Sequence, residues 1–195
     1  MTAATTTTLL GYMLVCSFTP GPGNILALNT TSRYGWQDSK YLILGICTGY
    51  GLVQALCTVM LCCLGSVFAP ALGILKYIGG AYMVWLAVKL IRSRPHTESV
   101  EKRPTFREGL LLQLVNVKIY FYISTLLSAY FLPHIQTPAG LAAAGAFAVS
   151  IGSAACLTWA FLGTRLQSAY ERHFRFINLL LGGFLLYCAW NLVRG

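Results

Sequence analysis

The sequence predicts an all-α integral membrane protein, with six transmembrane helices arranged as an inverted three-plus-three helix repeat. Three observations carry that prediction. The 195-residue chain is 56% hydrophobic and 10% charged, with a mean hydropathy of +0.65. Soluble domains carry about 25% charged residues, so a surface this poor in polar groups is solvated by lipid. Second, most Lys and Arg fall between apolar stretches or at their ends rather than inside them. Third, two of those stretches contain irregularities in corresponding places, Pro20-Gly21-Pro22-Gly23-Asn24 and Asn116-Val117-Lys118.

About 20 apolar residues at 1.5 Å each cross the hydrocarbon core. Six stretches reach that length: Leu9–Leu28, Tyr41–Leu64, Ala71–Leu90, Leu110–Leu132, Ala139–Gly163 and Phe174–Val193. The first has no basic segment before it and no convincing cleavage site after Pro20–Gly23, so it is expected as a retained helix rather than a signal peptide. The longest connection, Ile91–Glu108, carries Pro95, Pro104 and mixed charge. It divides a single transmembrane domain, residues 1–195, into three-helix halves at 1–91 and 109–195 joined by a linker at 92–108.

Charge sets the orientation. Eleven of the fourteen Lys and Arg lie in or beside the first, third and fifth connections. Positive charge marks cytoplasmic loops, which places both termini in the periplasm. Three helices per half then insert in opposite senses, the geometric condition for an inverted repeat with a site near the midplane. The net charge of +9 forms no basic patch interleaved with aromatics, which excludes nucleic acid as a partner.

The broken stretches carry the candidate site. Proline removes a backbone donor and clashes with the preceding turn. In hydrocarbon an unpaired peptide group costs several kcal/mol, so a break is tolerated only inside protein or beside a wet cavity. Pro20, Gly21, Pro22, Gly23 and Asn24 are therefore candidate substrate-binding residues, with a simple packing kink as the alternative. Lys118 lies about nine residues into its span, where insertion costs roughly 2.5–3.5 kcal/mol. No acidic residue falls inside an apolar stretch to pair with it. It reads either as a cation that meets a substrate carboxylate or as a stem reaching the interface. Asn116 borders the same break, and Gln54, central in the second stretch, is the remaining interior polar candidate or an interhelical hydrogen-bonding residue.

Other chemistries find little support. Seven cysteines lie in apolar stretches, where Cys acts mainly as a small apolar residue. The three histidines lie in connections, so no metal-ligand cluster and no cofactor is expected. A membrane thiol-redox shuttle would place a cysteine in both the first and fourth helices, and Leu110–Leu132 has none. No nucleophile–base pair or carboxylate dyad lies within the spans, which argues against an enzyme.

Thr19-Pro20-Gly21-Pro22, the run Gly79-Gly80-Ala81-Tyr82 with Trp85-Leu86-Ala87-Val88-Lys89, and Asn116-Val117-Lys118 resemble the lysine-exporter and homoserine/threonine-exporter family of bacterial amino-acid efflux carriers. The resemblance covers essentially the whole chain. Asn24-Ile25-Leu26-Ala27-Leu28 and Val117 between Asn116 and Lys118 are similar to the branch that exports cysteine and O-acetylserine. Gly23 stands where the family usually has Asn immediately after Pro-Gly-Pro. The resemblance implies a secondary transporter in the bacterial inner membrane that exports small neutral amino acids, cysteine or O-acetylserine first and homoserine or threonine as the alternative. Protons are the candidate coupling ion, and a homo-oligomer is a possible assembly.

The charge asymmetry yields a direct test of topology. Reporter fusions active only in the periplasm should be active at Gly195 and silent within residues 92–108. The reverse pattern overturns the orientation.

Overall fold

The computed structural model describes residues 3–63, 65–93 and 104–194, and every regular element among them is helical. In order these are α1 (Ala3–Phe18), α2 (Pro22–Cys63), α3 (Gly65–Ile91), α4 (Phe106–Leu114), α5 (Val117–Thr125), α6 (Pro138–Arg165), α7 (Gln167–Arg172) and α8 (Phe174–Arg194). Most of the linker expected at 92–108, with Arg94, Lys102 and Arg103, lies outside the described residues.

Three helices are long and apolar enough to cross a membrane: Pro22–Cys63, Pro138–Arg165 and Phe174–Asn191. Phe106–Leu114 and Val117–Phe131, bent by 55° between them, make a fourth candidate, and Ala3–Phe18 and Tyr77–Ile91 are apolar but shorter. Leu44, Leu52 and Val59 on α2 stand about half exposed, as do Phe147, Leu157 and Phe161 on α6. Large apolar side chains turned outward along whole helices suit lipid, not water. The chain is a multi-pass membrane protein.

Helix boundaries follow local chemistry. Thr105 caps α4 through a reciprocal box with Glu108: Thr105 N donates to Glu108 Oε2 at 2.8 Å, and Glu108 N donates to Thr105 Oγ1 at 3.3 Å. Thr137 caps α6, with Pro138 in the first turn where its missing N–H costs nothing. After α5 the helix widens into a π-helical turn, Leu126–Phe131, before it ends.

Two expected features differ in detail. The stretch Leu9–Leu28 is not one helix: α1 stops at Phe18 and α2 starts at Pro22. The first connection, expected around Arg33 and Lys40, is a single residue, Gly35, at φ 71° and ψ 177°. That backbone conformation is open to glycine and strained for other residues. It splits α2 into arms at 22–34 and 36–63. Unbroken, 42 residues would run for about 63 Å, twice the hydrocarbon thickness.

The buried apolar residues form two clusters with a polar layer between them. One gathers Met13, Val53, Ile123, Leu127 and Leu141, and the other gathers Ile25, Leu42, Ile46, Leu112 and Ala160. The 36–63 arm and α4 lie in backbone contact across a pair of glycines. A Cβ on Gly45 would stand 2.1 Å from the Phe106 carbonyl oxygen, and one on Gly109 would stand 2.2 Å from that of Leu42. Backbone cannot yield as a side-chain tip can, so Gly45→Ala and Gly109→Ala should each cost about 1–3 kcal/mol. Thermal unfolding in detergent should show each variant melting several degrees lower. Gly11→Ala, whose added carbon meets nothing within 4 Å, should melt no lower than the parent.

Candidate functional site

The break at residues 19–21 exposes carbonyls at the end of α1, and those of Ser17, Phe18 and Thr19 acquire side-chain donors. The carbonyl of Phe18 would normally accept from residue 22, but Pro22 has no N–H. Trp159 Nε1 of α6 donates to it instead, at 3.1 Å. Asn24 Nδ2 donates to Ser17 O at 2.8 Å and to Thr19 O at 3.2 Å. Lys118 Nζ completes the set by donating to Thr19 O at 2.8 Å. The break is thus held from three directions, by its own following helix, by α6 and by α5.

The second break is built on the same logic. Between α4 and α5 the chain turns at Val115 and Asn116, and Tyr120 Oη donates to the freed Leu114 carbonyl at 3.0 Å. Asn116 precedes α5 but makes no side-chain cap bond. Its Nδ2 donates to Gln113 Oε1 at 2.7 Å, while its Oδ1 is buried without a hydrogen-bond partner. A buried acceptor left without a donor costs about 1–3 kcal/mol. Such groups are rare in native proteins and call for an explanation.

Both breaks open onto one cavity of about 40 Å³. Gly21, Gly23, Asn24, Asn116 and Lys118 line it, so five of the eight sequence-predicted residues meet there. A Cβ on Gly21 would stand 3.0 Å from Lys118 Cδ, and one on Gly23 would stand 3.3 Å from Gln113 Oε1. Glycine at these two positions lets the chain pass close to the polar side chains. Pro20 and Pro22 shape the break without lining the cavity. Gln54 lies elsewhere. It faces a separate open groove between the 36–63 arm and α6, against Gly145, and its Nε2 donates to Thr58 Oγ1 at 3.3 Å.

Sequence reasoning missed the rest of the wall. Cys16, Cys47 and Cys156 all face the cavity, with Ser153 beside them in the wall. Tyr50 and Tyr122 close one end, stacked at 6.4 Å, and Tyr12 stacks on the far side of Tyr122 at 5.7 Å. A usable signal was present: Cys47, Tyr50 and Gln54 share one helix face at i, i+3 and i+7. Gln113, three residues before Asn116, carries the same signature on α4.

The chain matches the family described as LysE type translocator over residues 14–195. The chain belongs to the LysE-type translocator family. This translocator is 33% identical over 179 residues to the cysteine/O-acetylserine efflux proteins of Escherichia coli and Shigella flexneri. The aligned region covers 91% of this chain and 92% of each relative. No solved structure matches the chain.

The tight approach of Gly21 to Lys118 gives a test that separates site from scaffold. In Gly21→Ala the flexible tip of Lys118 should swing off the Thr19 carbonyl, which keeps Asn24 Nδ2 as a donor, a loss of about 1.5 kcal/mol at the low end for a bond to a charged group. Melting should fall by a few degrees at most while transport falls severalfold. Unchanged transport would mean that the Lys118–Thr19 contact is incidental.

Proposed function

We propose that this translocator exports small neutral amino acids, with cysteine and O-acetylserine as its substrates, through the cavity between the two breaks. The observation that carries the reading is the pairing of Lys118 Nζ with the unpartnered Asn116 Oδ1 in one wall. A zwitterion needs a cationic donor for its carboxylate and an acceptor for its ammonium, and these two groups supply both. The first turn of the 22–34 arm adds a helix N-terminus, whose dipole favours an anion. Three thiols line the same space and offer polarizable contacts to a small sulfur-bearing side chain. The names of the relatives agree with that substrate class.

At about 40 Å³ the cavity has room for a few waters and is too small for an amino acid. Substrate entry then requires the cavity to open. A carboxylate is a stronger partner for an ammonium than a neutral carbonyl is. Arriving substrate therefore competes with Thr19 O for Lys118 and loosens the bond that ties the breaks together. In this reading each half of an inverted repeat supplies one broken helix: α1 with the 22–34 arm, and α4 with α5. Proton coupling through Lys118 fits the same arrangement, since a carboxylate favours the ammonium form and substrate and proton would reinforce each other's binding.

Counterflow of labelled cysteine, O-acetylserine and threonine into proteoliposomes tests this. Lys118→Ala should abolish transport of the first two while the protein still inserts and elutes as a single species. Lys118→Arg should keep some binding, because the charge persists. Asn116→Leu should weaken half-saturation about tenfold or more, from loss of a charge-assisted bond of roughly 1.5–3 kcal/mol. Wild-type export by Lys118→Ala would move the site elsewhere.

A further inference from the structure

A second cavity, about 140 Å³, lies beside the central one along the same three elements. On the 22–34 arm the lining passes from Gly23 in the first cavity to Asn29 and Thr30 in the second. On the 36–63 arm it passes from Ile46 to Leu42, and on α4 from Gln113 to Glu108. Each step is four to seven residues, or about 6–10 Å of helix. Between the two cavities lies one apolar layer that includes Ile25, Leu42, Ile46 and Leu112, each at most 2% exposed. The lining of the second cavity includes Arg33, Ser93 and Pro104, beside the first and third connections.

Two opposite charges face into it. Lys89 Nζ stands 5.2 Å from the ring centre of Trp85, and Glu108 spends one carboxylate oxygen on the Thr105 cap. No ion pair joins Lys89 to Glu108, although both line the same 140 Å³. Two polar residues of the wall, Asn29 and Ser93, belong to a hydrogen-bonded network with Tyr170 and Asn178. Asn29 Nδ2 donates to Tyr170 Oη at 2.6 Å and to Asn178 Oδ1 at 2.9 Å, and Asn178 Nδ2 donates to Ser93 Oγ at 2.9 Å. That satisfied network pins the 22–34 arm, the end of α3, α7 and α8, and so fixes the floor. Lys89 and the second carboxylate oxygen of Glu108 keep hydrogen-bonding capacity for a ligand.

We infer that the cavity between Lys89 and Glu108 is a second binding site, which recruits the amino-acid zwitterion from the loop side before it reaches the central cavity. Lys89 takes the carboxylate, Glu108 takes the ammonium, and Arg33 adds positive charge to the same wall. Both principal charges are exposed, so binding is weak and exchange fast, as an entry site requires. The inference rests on the central-site reading for its direction of travel, but the site itself can be tested separately.

The test uses the full chain in everted membrane vesicles, with labelled cysteine kept reduced. Lys89→Gln and Glu108→Gln should each raise KM about three- to tenfold with little change in maximal rate. Glu108→Gln retains the α4 cap, since Gln serves at that position of the box. The double variant should fall short of the product of the two, because one molecule bridges both groups. Half-saturation from the opposite face should not move. 3-Mercaptopropionate, which has the carboxylate but no ammonium, should inhibit less well in Lys89→Gln and equally well in Glu108→Gln.

Equilibrium binding of labelled cysteine to Lys118→Ala separates the two readings. That variant should keep weak binding that disappears when Lys89→Gln is added. Unchanged KM in both single variants, equal shifts from both faces, or residual binding indifferent to Lys89 would overturn the entry site. Normal transport by Lys118→Ala would overturn the central-site reading instead.

Discussion

The hydrogen bond from Lys118 Nζ to the carbonyl of Thr19 joins the two helix breaks that open onto the central cavity, ninety-nine residues apart in sequence. Each break alone would be an expense in hydrocarbon, because freed peptide groups and a half-buried ammonium both lack water to meet them. Together they answer one another: the ammonium supplies a donor where the proline run removed donors. The glycines are what permit the approach, since a side chain at residue 21 would occupy the space that Lys118 uses. Polar residues thus occupy the middle of the protein, with an apolar cluster on either side.

The accounting at the first break also weighs a kink against a site. A kink that served only to pack helices would leave its carbonyls satisfied and its surroundings apolar. Here the carbonyls of Ser17, Phe18 and Thr19 are satisfied by side chains from three elements. The surroundings are polar, however, and one acceptor, Asn116 Oδ1, is left over. A surplus acceptor beside a shared cation is a poor way to stabilise a scaffold and a good way to hold a zwitterion. That asymmetry is the ground on which the proposed function places the site at the break.

What the sequence made legible was the chemistry that stands out against an apolar background. Pro20 through Asn24 and Asn116 with Lys118 interrupt long hydrophobic runs, and five of those residues line the cavity. Residues that blend into the background were not legible. Cys16, Cys47 and Cys156 pass as small apolar residues in a span, and only their shared cavity distinguishes them from Cys57 or Cys62. Gln54 was the opposite case. Its polarity stands out, but it lies one turn beyond Tyr50, about 6 Å farther along the arm, and faces a different groove. Sequence gives helical phase, whereas depth depends on where tertiary packing places each turn. Helix ends were similarly obscured: Arg33 and Lys40 mark the first connection by charge, yet helix runs through both and only Gly35 interrupts it.

The closest helix contacts say which parts are built to stay together. The 22–34 arm meets α6 at backbone distance: a Cβ on Gly163 would stand 2.5 Å from the Leu28 carbonyl oxygen, and Thr31 Oγ1 donates to Ala160 O at 2.8 Å. The 36–63 arm meets α4 just as closely through Gly45 and Gly109. α3 meets α8 where Gly182 faces Ile91 and the Ala87 carbonyl. If the halves are inverted copies, the first helix corresponds to the fourth, the second to the fifth and the third to the sixth. The first-with-fifth contact is then the counterpart of fourth-with-second, and third-with-sixth is its own counterpart. This correspondence belongs to the repeat proposed above, and one further close approach, of Gly79 on α3 to the Val115 carbonyl, lies outside it. It also separates two kinds of bond. Backbone contacts within each pair cannot exchange partners, whereas the bond from Lys118 to the Thr19 carbonyl, which crosses between pairs, can pass to a substrate carboxylate. Under the proposed function, opening breaks this exchangeable bond and leaves the glycine-sealed pairs intact.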